Sequence, residues 1–350
     1  MTLDTRTSTQ AVKLLAPGGT QRMAFTALAE GADGVYVGAR GWSRRSSQMD
    51  LADEEIKELS ESANAMGLEV KVALNAMPGP TEMPRLMQKV EAYAGWGVSG
   101  FVLSDPGCIL AVRRHFPTID IHVSIGAAVT NRQDVRFYKT LGASCIILPY
   151  RLQPDEVKAI KAEVGMNVEI FLFQPMPLGL VCPGKCIMSS YLVYKEWPDG
   201  ADDEVIGSAN RGARGCSRVC QAGWDVAAPD AELSGKSTLR NDPFLQLWEL
   251  PGFVEAGVDY LKIQGRERSE ELMQDITRFY RGLIDAILAS GADLSRIESR
   301  LRGLAPDTPV IRCRHRVTAV ECLDGSPIDD PIAGKRAVLF AAVGRPGAFA

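Results

Sequence analysis

One unit recurs along this chain: an amphipathic helix, a glycine, two or three small or polar residues, then a short β-rich run. It reads "EGADGVYVG" at 30–38, "MGLEVKVALN" at 66–75, "WGVSGFVLSD" at 96–105, "LGASCIILPY" at 141–150, "VGMNVEIFLF" at 164–173 and "AGVDYLKIQG" at 256–265. A glycine just past a helix end takes the left-handed conformation cheaply, so each unit marks a helix-to-strand junction. Two further runs, "VKLLAP" at 12–17 and "DIHVSI" at 120–125, bring the strands to eight. The helices between them carry apolar stripes at helical spacing. Ile56, Leu59, Ala63 and Met66 form one, and Leu86, Val90, Tyr93 and Ala94 a second. A third is Leu272, Ile276, Phe279, Leu283 and Ile287. Strands alternating with helices call for a parallel sheet, and eight such units predict an α/β fold, a (β/α)8 TIM-like barrel. A doubly wound open sheet is the alternative, but no GxGxxG turn follows the first strand.

The spacing breaks once. Residues 174–259 separate the seventh strand from the eighth, far more than one helix needs. The expected organisation is therefore a barrel over 10–300, with a cysteine-bearing insertion at 174–243 on its C-terminal mouth, where barrel enzymes keep their chemistry. Residues 301–350 read as a C-terminal tail packing on the barrel. The polar start "MTLDTRTSTQ" has no apolar leader, and no run approaches the ~20 apolar residues that span a bilayer. A cytoplasmic location without membrane insertion is expected. A net charge of −4 argues against a chain built mainly to coat nucleic acid.

Side chains alternate along a strand, so residues two apart share a face. That parity turns Lys71 and Asn75 inward, along with His122 and Ser124, Glu169, and the series Lys262, Gln264 and Arg266. Charges inside a barrel need partners or ligands. Lys71 or Lys262 paired with Glu169 would make an internal network, whereas Asn75, His122 and Arg266 are expected at strand ends as ligand contacts. The candidate catalytic set is His122, Asn75, Lys262 and Arg266. His115 falls at a helix end and His315 in the tail, and both read as structural or solvated.

The insertion carries two cysteine pairs, each with three intervening residues: Cys182 and Cys186, then Cys216 and Cys220. In a reducing compartment such pairs point to metal or redox chemistry rather than a disulfide framework. Four thiolates can hold zinc or an iron–sulfur cluster, and spacing alone leaves both open. Cys108 and Cys145 lie in apolar stretches and read as buried core thiols. Cys313 and Cys322 have no visible partner motif.

"LLAPGGTQRMAFTALAEGADGVYVGAR", "VALN" at 72–75, the His122 strand with "VTN" at 129–131, "GKCIMSS" at 184–190, "NRGARGCSRVCQAGWDV" at 210–226 and "GVDYLKIQGRERS" at 257–269 occur in that order. Together they resemble the collagenase-like peptidase family, over about residues 10–290. The resemblance implies a barrel, and a 4Fe-4S cluster on Cys182, Cys186, Cys216 and Cys220. It also implies oxygen-independent hydroxylation of the UbiU/UbiV type, with prephenate as oxygen source. Departures from the family pattern are Gly179 in the register of its first cysteine, no cysteine in "LRNDPFLQL" at 239–247, Tyr150-Arg151 after the sixth strand, and Gln264 in "KIQGR".

The resulting expectation is an iron–sulfur enzyme hydroxylating a small organic molecule, as one chain or as a heterodimer with a paralogous chain. The alternatives are an RNA-modifying hydroxylase, favoured by Arg211, Arg214 and Arg218 around the third cysteine, or a cluster-bearing partner subunit. Peptidase activity has the least support. Ser189 and Ser190 lack a G-x-S-x-G elbow, and no HExxH is present.

Overall fold

The junction glycines stand where the recurring unit places them. Gly31, Gly67, Gly97, Gly142, Gly165 and Gly257 all have positive φ, between 59° and 93°, a region that other residues enter at a cost. A computed structural model of the chain describes residues 12–44, 49–150, 152–174, 223–226, 235–238 and 244–290, all within one compact unit, 1–294. The four paired cysteines, Arg151, Arg211, Arg214, Arg218, His315, Cys313, Cys322 and the tail lie outside the described residues.

In chain order the first half runs β1 (Lys13–Gly18), α1 (Gln21–Ala29), β2 (Gly34–Gly38), α2 (Asp53–Ala65), β3 (Glu69–Ala73), α3 (Met83–Gly95), β4 (Gly100–Leu103) and α4 (Pro106–His115). It continues with β5 (Asp120–Val123), α5 (Arg132–Thr140), β6 (Cys145–Ile147), α6 (Pro154–Val164) and β7 (Asn167–Gln174). Then come β8 (Gly223–Val226), β9 (Gly235–Thr238), β10 (Phe244–Leu245), α7 (Leu250–Glu255), β11 (Tyr260–Ile263) and α8 (Glu270–Ser290). Strands β1 to β7 pair in parallel with their sequence neighbours, and β11 pairs in parallel with both β7 and β1. The sheet therefore closes on itself as the expected (β/α)8 barrel.

The stretch between β7 and β11 holds strands that the sequence pattern does not show. β8 and β9 form an antiparallel pair, and β10 pairs antiparallel with the end of β7. None follows a helix–glycine junction.

Helix starts are set by local chemistry. The side chains of Thr20, Asp105 and Asn131 accept from the first free amides of α1, α4 and α5, each such cap contributing about 1 kcal/mol. The stripes on α2 and α3 bury Ile56, Leu59 and Ala63, and Leu86, Val90 and Tyr93, but Met66, just past α2, is exposed. On α8 the buried face is turned one residue from expectation. Met273, Thr277, Tyr280 and Ile284 are inside, Leu272 is exposed, and Leu283 and Ile287 are shared by both faces. Two hydrogen bonds account for the shift. The Tyr280 hydroxyl donates to the Leu172 carbonyl (3.0 Å), and Thr277 satisfies its own hydroxyl on Met273 (2.7 Å), so both polar groups can be buried.

Barrel strands tilt, so residues at equal height advance about one position per strand beyond the hydrogen-bonded register. Applied to the observed pairings, this stacks the interior in layers. Lys13, Glu69 and Asp120 lie on the floor, with Cys145 and Tyr260 above them. Leu15, Lys71, His122 and Glu169 come next, then Tyr36, Val102, Ile147 and Lys262. Ala73, Ser124 and Phe171 follow, and Gly38, Ser104 and Gln264 open onto the mouth. The contacts agree: Ala73, Val102, Ile147 and Phe171 pack as one apolar cluster, and Leu15, Cys145 and Tyr260 as another.

Candidate functional site

Each inward residue expected from strand parity is buried or nearly so, but they divide into two groups. The lower group is a network of paired charges, in which His122 Nε2 alone of the His122 and Glu169 ligand atoms is buried without a hydrogen-bond partner among the described residues. His122 donates from Nδ1 to Glu169 Oε2 (2.6 Å), and Lys262 Nζ donates to the other oxygen, Oε1 (2.5 Å). An ionised carboxylate only accepts, which assigns the His122 proton to Nδ1. Lys71 does not pair with Glu169. It reaches Asp120 (2.8 Å) and Glu69 (3.1 Å) at the floor instead, because Asp120 and Glu69 lie two layers below Lys71 on its own side. Burial pushes the Glu169 carboxyl up, but the Lys262 charge and the His122 bond outweigh it and bring it down to about 2. Burial lowers His122, against the opposing effect of its bond to Glu169.

His122, Cys145 and Glu169 bring ligand atoms within 4.8 Å of one another, close enough to hold a metal ion. The charge count argues otherwise. Lys13, Lys71 and Lys262 face Glu69, Asp120 and Glu169, three against three, so the interior is balanced as it stands. Burial pushes the Cys145 thiol well above its ordinary range, and a divalent ion would have to displace Lys262. The set fits an ion-pair network better than a metal site. His122 thus lies three layers below the mouth rather than at a strand end, because barrel tilt sets height independently of where its strand stops.

The upper group lines the mouth. Asn75 donates from Nδ2 to Ser124 Oγ (3.1 Å) and accepts on Oδ1 from the Arg44 amide (2.9 Å). Arg266, three residues past β11, donates from Nη1 to Asp50 Oδ1 (2.9 Å), which also accepts from Ser43 Oγ (2.8 Å). Arg266 and Lys262 lie 5.9 and 4.0 Å from the centre of the Tyr36 ring, so the aromatic links the two groups. Two glycines make the room. A Cβ on Gly38 would fall 1.8 Å from Asp50 Oδ1 and 2.2 Å from Arg266 Nη1, and one on Gly126 would fall 2.3 Å from Arg44 Nη1. Both inward slots are thus filled by charged groups from elsewhere. Asp50 Oδ2 and Ser104 Oγ are buried here with no hydrogen-bond partner among the described residues. Next to them Ala128 is in the left-handed region, at φ 51°.

Of the candidate catalytic residues, Asn75 and Arg266 reach the mouth, Lys262 lies two layers down and His122 below it. Sequence reading missed Asp50, Ser43, Arg44, Tyr36 and Ser104. The available signal was Gly38, an inward strand position with no side chain to fill it. His115 ends α4, as expected, with Nδ1 at the Ala111 carbonyl (2.9 Å). Cys108 and Cys145 are buried free thiols. Among the described residues no helix is long and apolar enough to cross a membrane.

The fold and the polar mouth define a (β/α)8-barrel protein with its candidate site at the C-terminal end of the strands. The model for Peptidase family U32 matches residues 19–307, and the chain belongs to that family. It is 27% identical over 330 residues to the tRNA hydroxylation protein P1 of Bacillus subtilis, covering 92% of this chain and 73% of that protein. It is 26% identical to the 23S rRNA 5-hydroxycytidine C2501 synthase of Escherichia coli, over 83% of this chain and 42% of that one. A protein named collagenase from Porphyromonas gingivalis is 23% identical, over 78% of this chain and 66% of its own length.

Proposed function

We propose that this chain is an RNA-modifying enzyme that hydroxylates a base in transfer or ribosomal RNA. The observation that carries the reading is the similarity, over 92% of the chain, to a protein named for tRNA hydroxylation. It displaces the small-molecule substrate expected from length and net charge. A balanced interior leaves the overall acidity a poor guide to what the mouth binds. Among the described candidates, an extruded base entering the mouth would meet Asn75, Ser104 and Arg266 first.

Cys182, Cys186, Cys216 and Cys220 would hold a 4Fe-4S cluster, which supplies electrons when bound. The described thiols offer no competing set: Cys108 and Cys145 are both buried, and burial raises both of them. Prephenate as oxygen donor, and a paralogous partner chain, belong to the same proposal. The peptidase reading has no supporting constellation among the described residues.

The test is nucleoside mass spectrometry of total RNA from a strain lacking the gene, complemented with the wild type or with Cys186→Ala. The expected result is loss of one nucleoside heavier by an oxygen atom, restored only by the wild type. Unchanged RNA, with a small-molecule product lost instead, would return the reading to the metabolic hydroxylases. Protein purified without oxygen should carry about four iron and four sulfide per chain. A colourless, zinc-containing protein would remove the cluster.

A further inference from the structure

The Asp50–Arg266 pair is arranged for exchange rather than support. Asp50 is 5% exposed; among the described residues its side chain accepts from Ser43 and Arg266 on Oδ1, and Oδ2 is buried without a partner. A buried acceptor left unsatisfied is costly, and Oδ2 is open to a proton. The pair also occupies the inward slot of Gly38, where a Cβ would fall 1.8 Å from Asp50 Oδ1 and 2.2 Å from Arg266 Nη1.

We infer that Arg266 binds an anionic group of the ligand, a phosphate or a carboxylate, and that Asp50 releases it by taking a proton on Oδ2. The exchange balances. The Arg266–Asp50 ion pair breaks, an Arg266–anion pair forms, and one proton passes from solvent to Asp50. The charged groups around Asp50 permit this. Arg266 approaches from beyond β11 and Arg40 from the end of β2, and the Arg44 guanidinium fills the Gly126 slot. Lys262, near the Tyr36 ring, is held by Glu169. Burial pushes the Asp50 carboxyl up to about 6, the Arg266 charge opposing it, so the proton is available near neutrality. The inference rests on the site being the mouth, not on RNA as substrate, so anion binding stands or falls apart from the hydroxylation assay.

The test is calorimetric titration of the full chain, purified without oxygen, in buffers of different ionisation heat. Sulfate is the probe for phosphate and oxalate for carboxylate, and neither titrates near neutrality. The wild type should take up one proton on binding, and its affinity should fall about tenfold per pH unit above the Asp50 midpoint. Asp50→Asn should bind with no proton uptake and no slope. The double variant Asp50→Asn/Arg266→Gln, which leaves no unpaired charge, should bind neither anion. The tighter anion identifies the source. An unchanged slope in Asp50→Asn, retained binding in the double variant, or no binding of either probe by wild type would overturn the inference.

Discussion

The two ends of the barrel interior obey the same alternation and reach opposite electrostatic states. Below, each lysine has a carboxylate and both oxygens of Glu169 are taken, by His122 and Lys262, with only His122 Nε2 left over among the His122 ring and Glu169 carboxylate atoms. Above, Asp50 keeps one oxygen bare and Ser104 is unsatisfied, over slots emptied by Gly38 and Gly126. A network of paired charges resists change because removing one member strands another in low dielectric. In the upper region the surrounding fold holds the Asp50–Arg266 pair with one carboxylate oxygen still open. The difference separates what supports the barrel from what it can bind, although both regions read as inward polar residues.

Breaking the lower region should have the largest effect. Glu169→Ala strands the Lys262 ammonium and should lower unfolding free energy by ~3–5 kcal/mol, read by denaturant titration. A loss under about 1 kcal/mol would mean that the charges are not paired.

The pH dependence of stability should separate the regions by sign. The Glu169 carboxyl is held down from 4.5 to about 2, so its contribution is present above pH 4.5 and is lost as pH falls toward 2. Asp50 is raised from 3.8 to about 6, so its contribution is full below pH 3.8 and is lost as pH rises through 6. Each should span on the order of 3 kcal/mol. In thermal unfolding across pH, Asp50→Asn should flatten the decline above pH 3.8 and leave the acid limb in place. Loss of the acid limb in that variant would show that the regions are coupled.

Gly38→Ala sharpens the contrast from the other side. The added methyl meets Asp50 Oδ1 at 1.8 Å, and should cost ~1–3 kcal/mol while abolishing anion binding. Normal binding would show that the slot is not needed. The smallest effect is expected at Ala128, whose left-handed backbone suits glycine. Ala128→Gly should raise the melting temperature slightly, a gain of about 1 kcal/mol or less, and a drop would show that the methyl packs usefully at the mouth.

Much of this was legible in the chain. Junction glycines marked six of the eight barrel strands, and parity turned Lys71, His122, Glu169, Lys262 and Gln264 inward. The one-residue rotation of α8 was not legible, because Leu272, Ile276 and Phe279 make as good an apolar stripe as the face that is buried. The preference came from where the Tyr280 hydroxyl could find a carbonyl. Nor was Asp50 legible: it lies in the segment before α2 and meets a partner 216 residues away.

By itself the sequence determined the repeating unit, the barrel and which face each strand residue takes, since helix ends and strand alternation are local covalent geometry. Tertiary structure alone decided height and pairing. Closing eight tilted strands set His122 level with Glu169 and sent Lys71 to Asp120. It also carried the Arg266 guanidinium over Gly38 to Asp50. Those contacts depend on register around a closed sheet, which no stretch of chain specifies until the first strand meets the last.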